Sequence, residues 1–378
     1  MSLGYWIFTQ EDRSEGQHYE RGETEFIVSN LVNSTISLFK AGKYPADAKQ
    51  LPDFDGKSGW LPQGNYFLRY DNAGYALYFP VPLTGYRCGP DEDGTLLITI
   101  RPTPKQSPPR LLTTMPEFVY VPSGSVLIGD RQNPRERHYV WLTGYFIAPF
   151  EVSNEEFRLF LEAPDGYSDG ANWTEEGVRW RSSSTSRVSA LLSPVDGEYG
   201  RFGQPDQPVT WVTWYEANAF CTWLSRRNAH AKWQFSLPSD AEWEKGAHGP
   251  DNLDYSLSMF LSDAEVGLYN WKKNTDAPIP VVGILPSISS YRPNRYGLYH
   301  MTGNVVEWTQ SVYVPYNREH PFLDDERNHD RTSGPRTARG GSWYSAAISY
   351  MYIPYRDSFQ PSHSTQDLGF RLICRALP

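Results

Sequence analysis

Cysteine is the first thing this chain lacks: three in 378 residues, at Cys88, Cys221 and Cys374. An odd, widely spaced set excludes a disulfide framework, and the absence of a CxxC pair excludes a metal knuckle. Buried free thiols are the expectation. No run of about 18 apolar residues occurs, so no helix is expected to span a membrane. The opening Met1-Ser2-Leu3-Gly4-Tyr5-Trp6 lacks the basic, apolar and small-residue succession of a secretory leader. Lysine is scarce beside arginine, and a net charge of −9 speaks against wrapping nucleic acid, which needs a clustered basic surface. GxSxG, GxGxxG, P-loop and HExxH signatures are all missing. The eight histidines are scattered, and His320 and His329 lie in an acidic loop that reads as a solvated face. No carboxylate pair is marked as an acid–base couple, so an enzyme reading starts with little.

The length is too great for one ordinary core and predicts two domains. Residues 1 to about 100 alternate β-prone runs (Tyr5–Phe8, Glu25–Val28, Ile36–Phe39, Tyr66–Tyr70, Ala76–Phe79, Leu96–Ile100) with turn signals. They predict a small all-β module, sandwich-like. Four prolines between Arg101 and Pro109 make a stiff linker, which sets the domains at 1–112 and 113–378. The second opens with a strand, a turn and a strand over Glu117–Gly129. Three capping boxes follow, Ser153/Glu156, Thr213/Glu216 and Ser239/Glu242, each announcing a helix. Pro164 and Gly246 are expected to close the first and third. In the second, Cys221 shares a face with Ala217, Phe220 and Leu224, so it is expected in the core. Beyond residue 250 regular structure thins, and the class is α+β with many long loops.

Near the C-terminus, Gly340-Gly341-Ser342-Trp343 and Leu368-Gly369-Phe370-Arg371 bracket a middle of different character. Glycine turns and buried rings suit the ends. The middle, 344–367, is rich in Tyr and Ser and has no sustained period of 2 or 3.6. Stiff aromatic surface and adaptable hydroxyls together read as a recognition surface. Glu307, beside the turn-forming Gly303-Asn304, is a candidate ligand for a hard cation, with local pairing as the plainer alternative. The arginines from Arg331 to Arg339 read as loop or interface charges. Asn33-Ser34-Thr35 and Asn172-Trp173-Thr174 match the glycosylation pattern.

From Met115 onward an ordered set of motifs carries a resemblance. It includes Phe118–Gly124, Phe150–Phe157, Pro208–Trp214, Leu237–Glu244, Tyr296–Tyr299, Gly303–Trp308, Arg339–Trp343 and Leu368–Arg371. The chain resembles the formylglycine-generating enzyme (sulfatase-modifying factor) family, which implies a C-type-lectin-like fold. That enzyme works through two cysteines shortly after its Gly-Gly-Ser-aromatic motif, where this chain carries Ser345 and Tyr350. A hydroxyl and a phenol cannot supply thiolates that bind copper and attack substrate. The iron-dependent sulfoxide synthases of the same superfamily carry an N-terminal helical, His-rich domain, whereas the first domain here has only His18.

A third branch, the variable proteins of diversity-generating retroelements, is similar in register. Its Arg-(four variable)-Pro-(six)-Leu-Gly-Phe-Arg spacing is matched by Arg356, Pro361 and Leu368–Arg371. This resemblance implies a ligand-binding protein displayed on a virion or cell surface, with a variable region at about 340–371 and no cofactor required. Its ligand face would comprise Tyr344, Ser345, Ile348, Ser349, Tyr350, Tyr352, Ile353, Tyr355, Asp357, Ser358, Phe359, Ser362, His363 and Thr365. Met351 falls where a buried Leu usually sits. A structural calcium is implied at Gly303, Val305 and Glu307, although His300 replaces an Asn ligand there. The partner is expected to be an unknown protein or cell-surface ligand. The alternatives are an oxidase or sulfoxide synthase with relocated chemistry, and a structural module whose aromatic stretch is core.

Overall fold

A computed structural model describes residues 23–29, 35–52, 54, 58–62, 64–72, 75–83, 96–99, 108–109, 117–130, 137–186, 188, 203–257, 292–314 and 333–376. The expected strand at Tyr5–Phe8, the linker prolines before 108, Cys88, His18, His320, His329 and Arg331 lie outside these residues.

The N-terminal part contributes β1 (Glu23–Ser29), β2 (Thr35–Lys40), β3 (Lys49–Leu51), β4 (Ser58–Pro62), β5 (Gly64–Asn72), β6 (Tyr75–Leu83) and β7 (Leu96–Thr99). They form two sheets, ordered β4-β1-β7 and β3-β2-β5-β6. The long β5–β6 pair follows from a period of 2. Tyr66, Leu68 and Tyr70 face Leu77, Phe79 and Val81 in one buried cluster, which Leu127 and Tyr139 of the C-terminal part complete. The opposite face presents Phe67 and Tyr78, over which the Arg295 guanidinium stacks at 4.5 and 5.7 Å. The N-terminal sheet is therefore packed against the rest of the chain rather than held off by a spacer.

The C-terminal part contains β8 (Val119–Val121), β9 (Gly124–Ile128), β10 (His138–Leu142), β11 (Tyr145–Ile147), α1 (Asn154–Glu162), α2 (Glu175–Ser183) and α3 (Trp214–Arg227). It continues with β12 (Trp233–Ser236), α4 (Asp240–His248), β13 (Val306–Val312), β14 (Arg336–Arg339), β15 (Asp357–Phe359), β16 (Leu368–Gly369) and β17 (Ile373–Ala376). The sheets are ordered β10-β9, β12-β17-β11-β8 and β15-β14-β13-β16. All three capping boxes form: Ser153, Thr213 and Ser239 each accept from the third helical N–H, and the paired Glu accepts from the cap N–H. The α1 helix ends at Glu162, just before Pro164. Contrary to the expectation from sequence, Gly246 does not close α4. It lies inside the helix, where an added Cβ would come within 3.1 Å of Leu298, and Gly249 at φ +62° ends the helix instead. Helix α2 was not foreseen: its cap, Thr174, has no Glu three residues on to complete a box.

Phe157 stacks on Phe220 at 5.6 Å, and Phe220 meets Phe370 edge-on at 5.7 Å. These rings form the centre of the main core, together with Trp223 and Trp308. Cys221 and Cys374 are buried there, and burial pushes both thiols well up from their ordinary range.

Candidate binding site

Three arginines anchor the C-terminal stretch, and each engages carboxylates from distant sequence. Arg339, at the end of β14, pairs with Asp240 and Glu244 of α4 and donates to the carbonyls of Ile353 (2.6 Å) and Tyr355 (3.1 Å). Burial alone would raise the Glu244 carboxyl; Arg339 and His248 outweigh it and hold the group well below the usual carboxylate range. Arg356 donates to Asp240 (2.7 Å) and to the Val314 carbonyl (2.8 Å), with its guanidinium 4.9 Å from the Tyr313 ring. Arg371 forks onto Glu307 at 2.6 and 2.7 Å and reaches the carbonyls of Ala148, Pro149 and Tyr299. Arg339 and Arg371 have no exposed side-chain surface. Placing Arg339 among loop charges was wrong: a guanidinium donates in five directions and can be buried when carboxylates and carbonyls meet it.

The ends of the stretch are pinned by backbone geometry. Gly340 and Gly341 adopt φ +96° and +64°, and a Cβ on Gly341 would lie 2.8 Å from the Tyr350 carbonyl oxygen. Trp343 is fully buried, and its backbone N–H donates to the Asn304 carbonyl at 2.9 Å. The Ser342 hydroxyl donates to Asp367 at 2.6 Å, tying the start of the stretch to its end. The Val306 N–H donates to Asp367, Trp211 to Thr365 and Trp214 to Pro361.

Between these ties the side chains reach solvent to different degrees. Tyr344 is 56% exposed, its ring 5.2 Å from Trp343. Ser349, Ser358 and Ser362 are exposed; Ile348, Tyr350, Tyr352, Tyr355, Asp357, Phe359, His363 and Thr365 are half-buried. Ile348 and Ser349 open a short 3-10 turn, and Asp357–Phe359 form an edge strand on β14. Ile353 is a correction. It is 0% exposed, in a cluster with Trp243, Met301 and Ile373, and cannot touch a ligand. Ser345 serves the turn, accepting from the Ser342 N–H at 2.8 Å.

The tyrosines form separate groups rather than one cluster. Tyr350 meets Tyr355 edge-on at 4.9 Å, and Tyr355 donates to Asp357 at 3.3 Å. Burial first, then the Asp357 charge, raises the Tyr355 phenol; burial likewise raises the Asp357 carboxyl. Tyr352 instead donates to Asp130 at 3.1 Å and packs on Tyr255. His363 lies flat on Phe359 at 4.7 Å, and Phe359 meets Trp308. Asp130, Tyr255 and Tyr313 were missed from sequence because nothing local marks residues brought here by other loops.

Two metal sites implied by resemblance can be tested on these side chains. Both Glu307 oxygens are taken, by Arg371 and by the Trp243 indole N–H at 2.8 Å. A calcium ion held by the Gly303 and Val305 carbonyls and by Glu307 would therefore share this carboxylate with a buried guanidinium, because each oxygen offers more than one lone pair. Ser345 and Tyr350 offer oxygens rather than thiolates, which does not suit copper. Cys221 and Cys374 are buried in the main core.

The sulfatase-modifying factor enzyme 1-like domain matches residues 103–376. The chain belongs to this family. Among curated relatives, the serine/threonine-protein kinase pkn1 of Chlamydia caviae is 28% identical over 68% of this chain. The chain spans only 37% of that protein's length. The formylglycine-generating enzyme of Mus musculus is 27% identical, over 72% of this chain and 78% of its own length. Among solved structures, PvdO from Pseudomonas aeruginosa aligns with a TM-score of 0.51 at 21% identity, covering 73% of this chain and all of that one. The sulfatase-modifying factor domain here has the C-type-lectin-like fold of the formylglycine-generating enzymes.

Proposed function

We propose that the chain is a non-enzymatic binding protein whose ligand face is the Tyr/Ser segment between Trp343 and Leu368, in the manner of retroelement-diversified variable proteins. One observation carries the reading. The segment is bracketed by fully buried, charge-paired arginines, while most of its side chains between the brackets are exposed or half-buried. Such a division lets side chains in the middle be exchanged without disturbing the frame. The oxygens at Ser345 and Tyr350, in place of the enzyme's thiols, support the same reading. Tyr344, Tyr350 and Tyr355 would supply rigid contact area, and Ser349, Ser358 and Ser362 adaptable hydrogen bonds. Display on a virion or cell surface belongs to this proposal, as does a protein or cell-surface ligand.

The test is simultaneous randomisation of 344, 349, 358 and 362. Most members of the library are expected to fold with the parent's melting temperature, and a broad loss of folding would sink the proposal. Natural siblings of this gene should differ chiefly in codons 344–367. A second reading, catalysis with chemistry moved elsewhere on the scaffold, is favoured by the identity to the formylglycine-generating enzyme. It predicts stoichiometric copper or iron after purification and metal-dependent turnover.

A further inference from the structure

Residues 251–257 run between the N-terminal sheet and the candidate binding segment and are bonded to both. On the sheet side, Asp251 receives a two-pronged contact from Arg295 at 2.8 and 3.0 Å. That guanidinium stacks on Phe67 and also donates to the Pro45 carbonyl. Asn252 sits at φ +53°, a conformation unusual for a residue with a side chain, and is held there by an exchange of bonds with Asn65 of β5. The Asn65 amide donates to the Asn252 carbonyl at 3.1 Å, and the Asn252 amide returns a bond to Asn65 Oδ1 at 3.0 Å.

On the other side, the Ile353 N–H donates to the Asp254 carbonyl at 3.0 Å. Tyr255 packs on Tyr352, and Leu257 packs on Met351. Three successive residues of the binding segment, 351 to 353, therefore lean on three residues of this strap. Segments that short, with one backbone bond to the strap, have little stability of their own and take their position from what they touch.

We propose that the N-terminal sheet is a positioning platform for the binding segment: it fixes the strap at Asp251 and Asn252, and the strap fixes residues 351–353. The sheet would then set where Tyr352 sits without touching a ligand itself. Its importance for affinity rests on the binding reading above, but the positioning does not.

The experiment is amide hydrogen exchange on the full chain, with no ligand present. Asn65→Ala removes both side-chain bonds to Asn252, and Arg295→Lys removes the two-pronged contact while keeping the charge. Exchange at the Ile353 amide is expected to accelerate about tenfold or more in at least one variant, the scale set by losing one or two net hydrogen bonds. Protection at the Val306 and Trp343 amides, bonded to Asp367 and Asn304, should stay at the parent level. Parent-level protection at Ile353 in both variants overturns the proposal. So does equal loss at all three amides, which would mean global unfolding rather than local positioning.

Discussion

Two stretches a few residues apart treat polar side chains in opposite ways. In the frame, Arg339 and Arg371 are wholly buried and every charge meets a carboxylate. In the segment between them, one arginine, Arg356, is tied to Asp240 in the same way, and the other polar groups are hydroxyls, amides, one imidazole and carboxylates at or near water. A buried ion pair adds little over an apolar pair of the same volume, but losing one member leaves an uncompensated charge. The frame therefore acts as a register lock that punishes disturbance heavily. Apart from Arg356, the polar side chains of the segment carry no such penalty, which is why the proposed exchange of side chains is confined to them.

The comparison breaks first at its strongest point. Glu307→Ala, which removes both direct carboxylate bonds to the buried Arg371 guanidinium and leaves only Glu151 at 4.0 Å, is expected to cost about 3 kcal/mol in urea unfolding. A loss below about 1 kcal/mol would put this pair in the class of surface bridges and undo the contrast. Next comes Gly341→Ala. Its φ of +64° and the 2.8 Å approach of the Tyr350 carbonyl should cost about 1–3 kcal/mol, read from the same denaturation curves.

A smaller effect concerns Glu156, the capping glutamate of α1. Burial, opposed by bonds from Ser153, raises its carboxyl to about 7. The folded state then holds a proton that the unfolded state releases above the ordinary carboxylate range. Stability from this group therefore falls as pH rises from about 4.5 to about 7. Glu156→Gln keeps a capping box and removes the titration. Its melting temperature should match the parent's at pH 4 and exceed it at pH 8, and a gap that does not grow with pH would refute the assignment. At the weak end, Tyr344→Ser, Ser358→Ala and Ser362→Ala should each change stability by no more than about 0.5 kcal/mol. Larger losses would mean that the segment is load-carrying core after all.

Much of the scaffold could be read in advance, because its signals are local. A capping box occupies four consecutive residues and was recognised in all three places. The β-prone run Tyr66–Tyr70 marks a strand for the same reason, and Phe67 on its other face is buried as well. The errors have one origin too. Gly246 was taken as a helix end because glycine often is one, but its missing Cβ makes room for Leu298 from a distant loop. Arg339 reads as a loop or interface charge in the sequence because its carboxylates lie on α4, about a hundred residues earlier. The resemblance puts Ile353 in the ligand face because it lies within the bracketed stretch, while its side chain turns into the cluster around Trp243.

Sequence alone determined the starts of α1, α3 and α4, the β-prone runs of the N-terminal part, the glycine-and-tryptophan brackets and the presence of Ser345 and Tyr350 between them. These depend on residue type and near-neighbour spacing, which the chain carries wherever it folds. Only the tertiary structure decided which bracketed side chains reach water, that Glu307 answers Arg371, and that residues 251–257 join the N-terminal sheet to residues 351–353. Those outcomes depend on which distant groups arrive at the same place, and no local pattern encodes a meeting between residues two hundred positions apart.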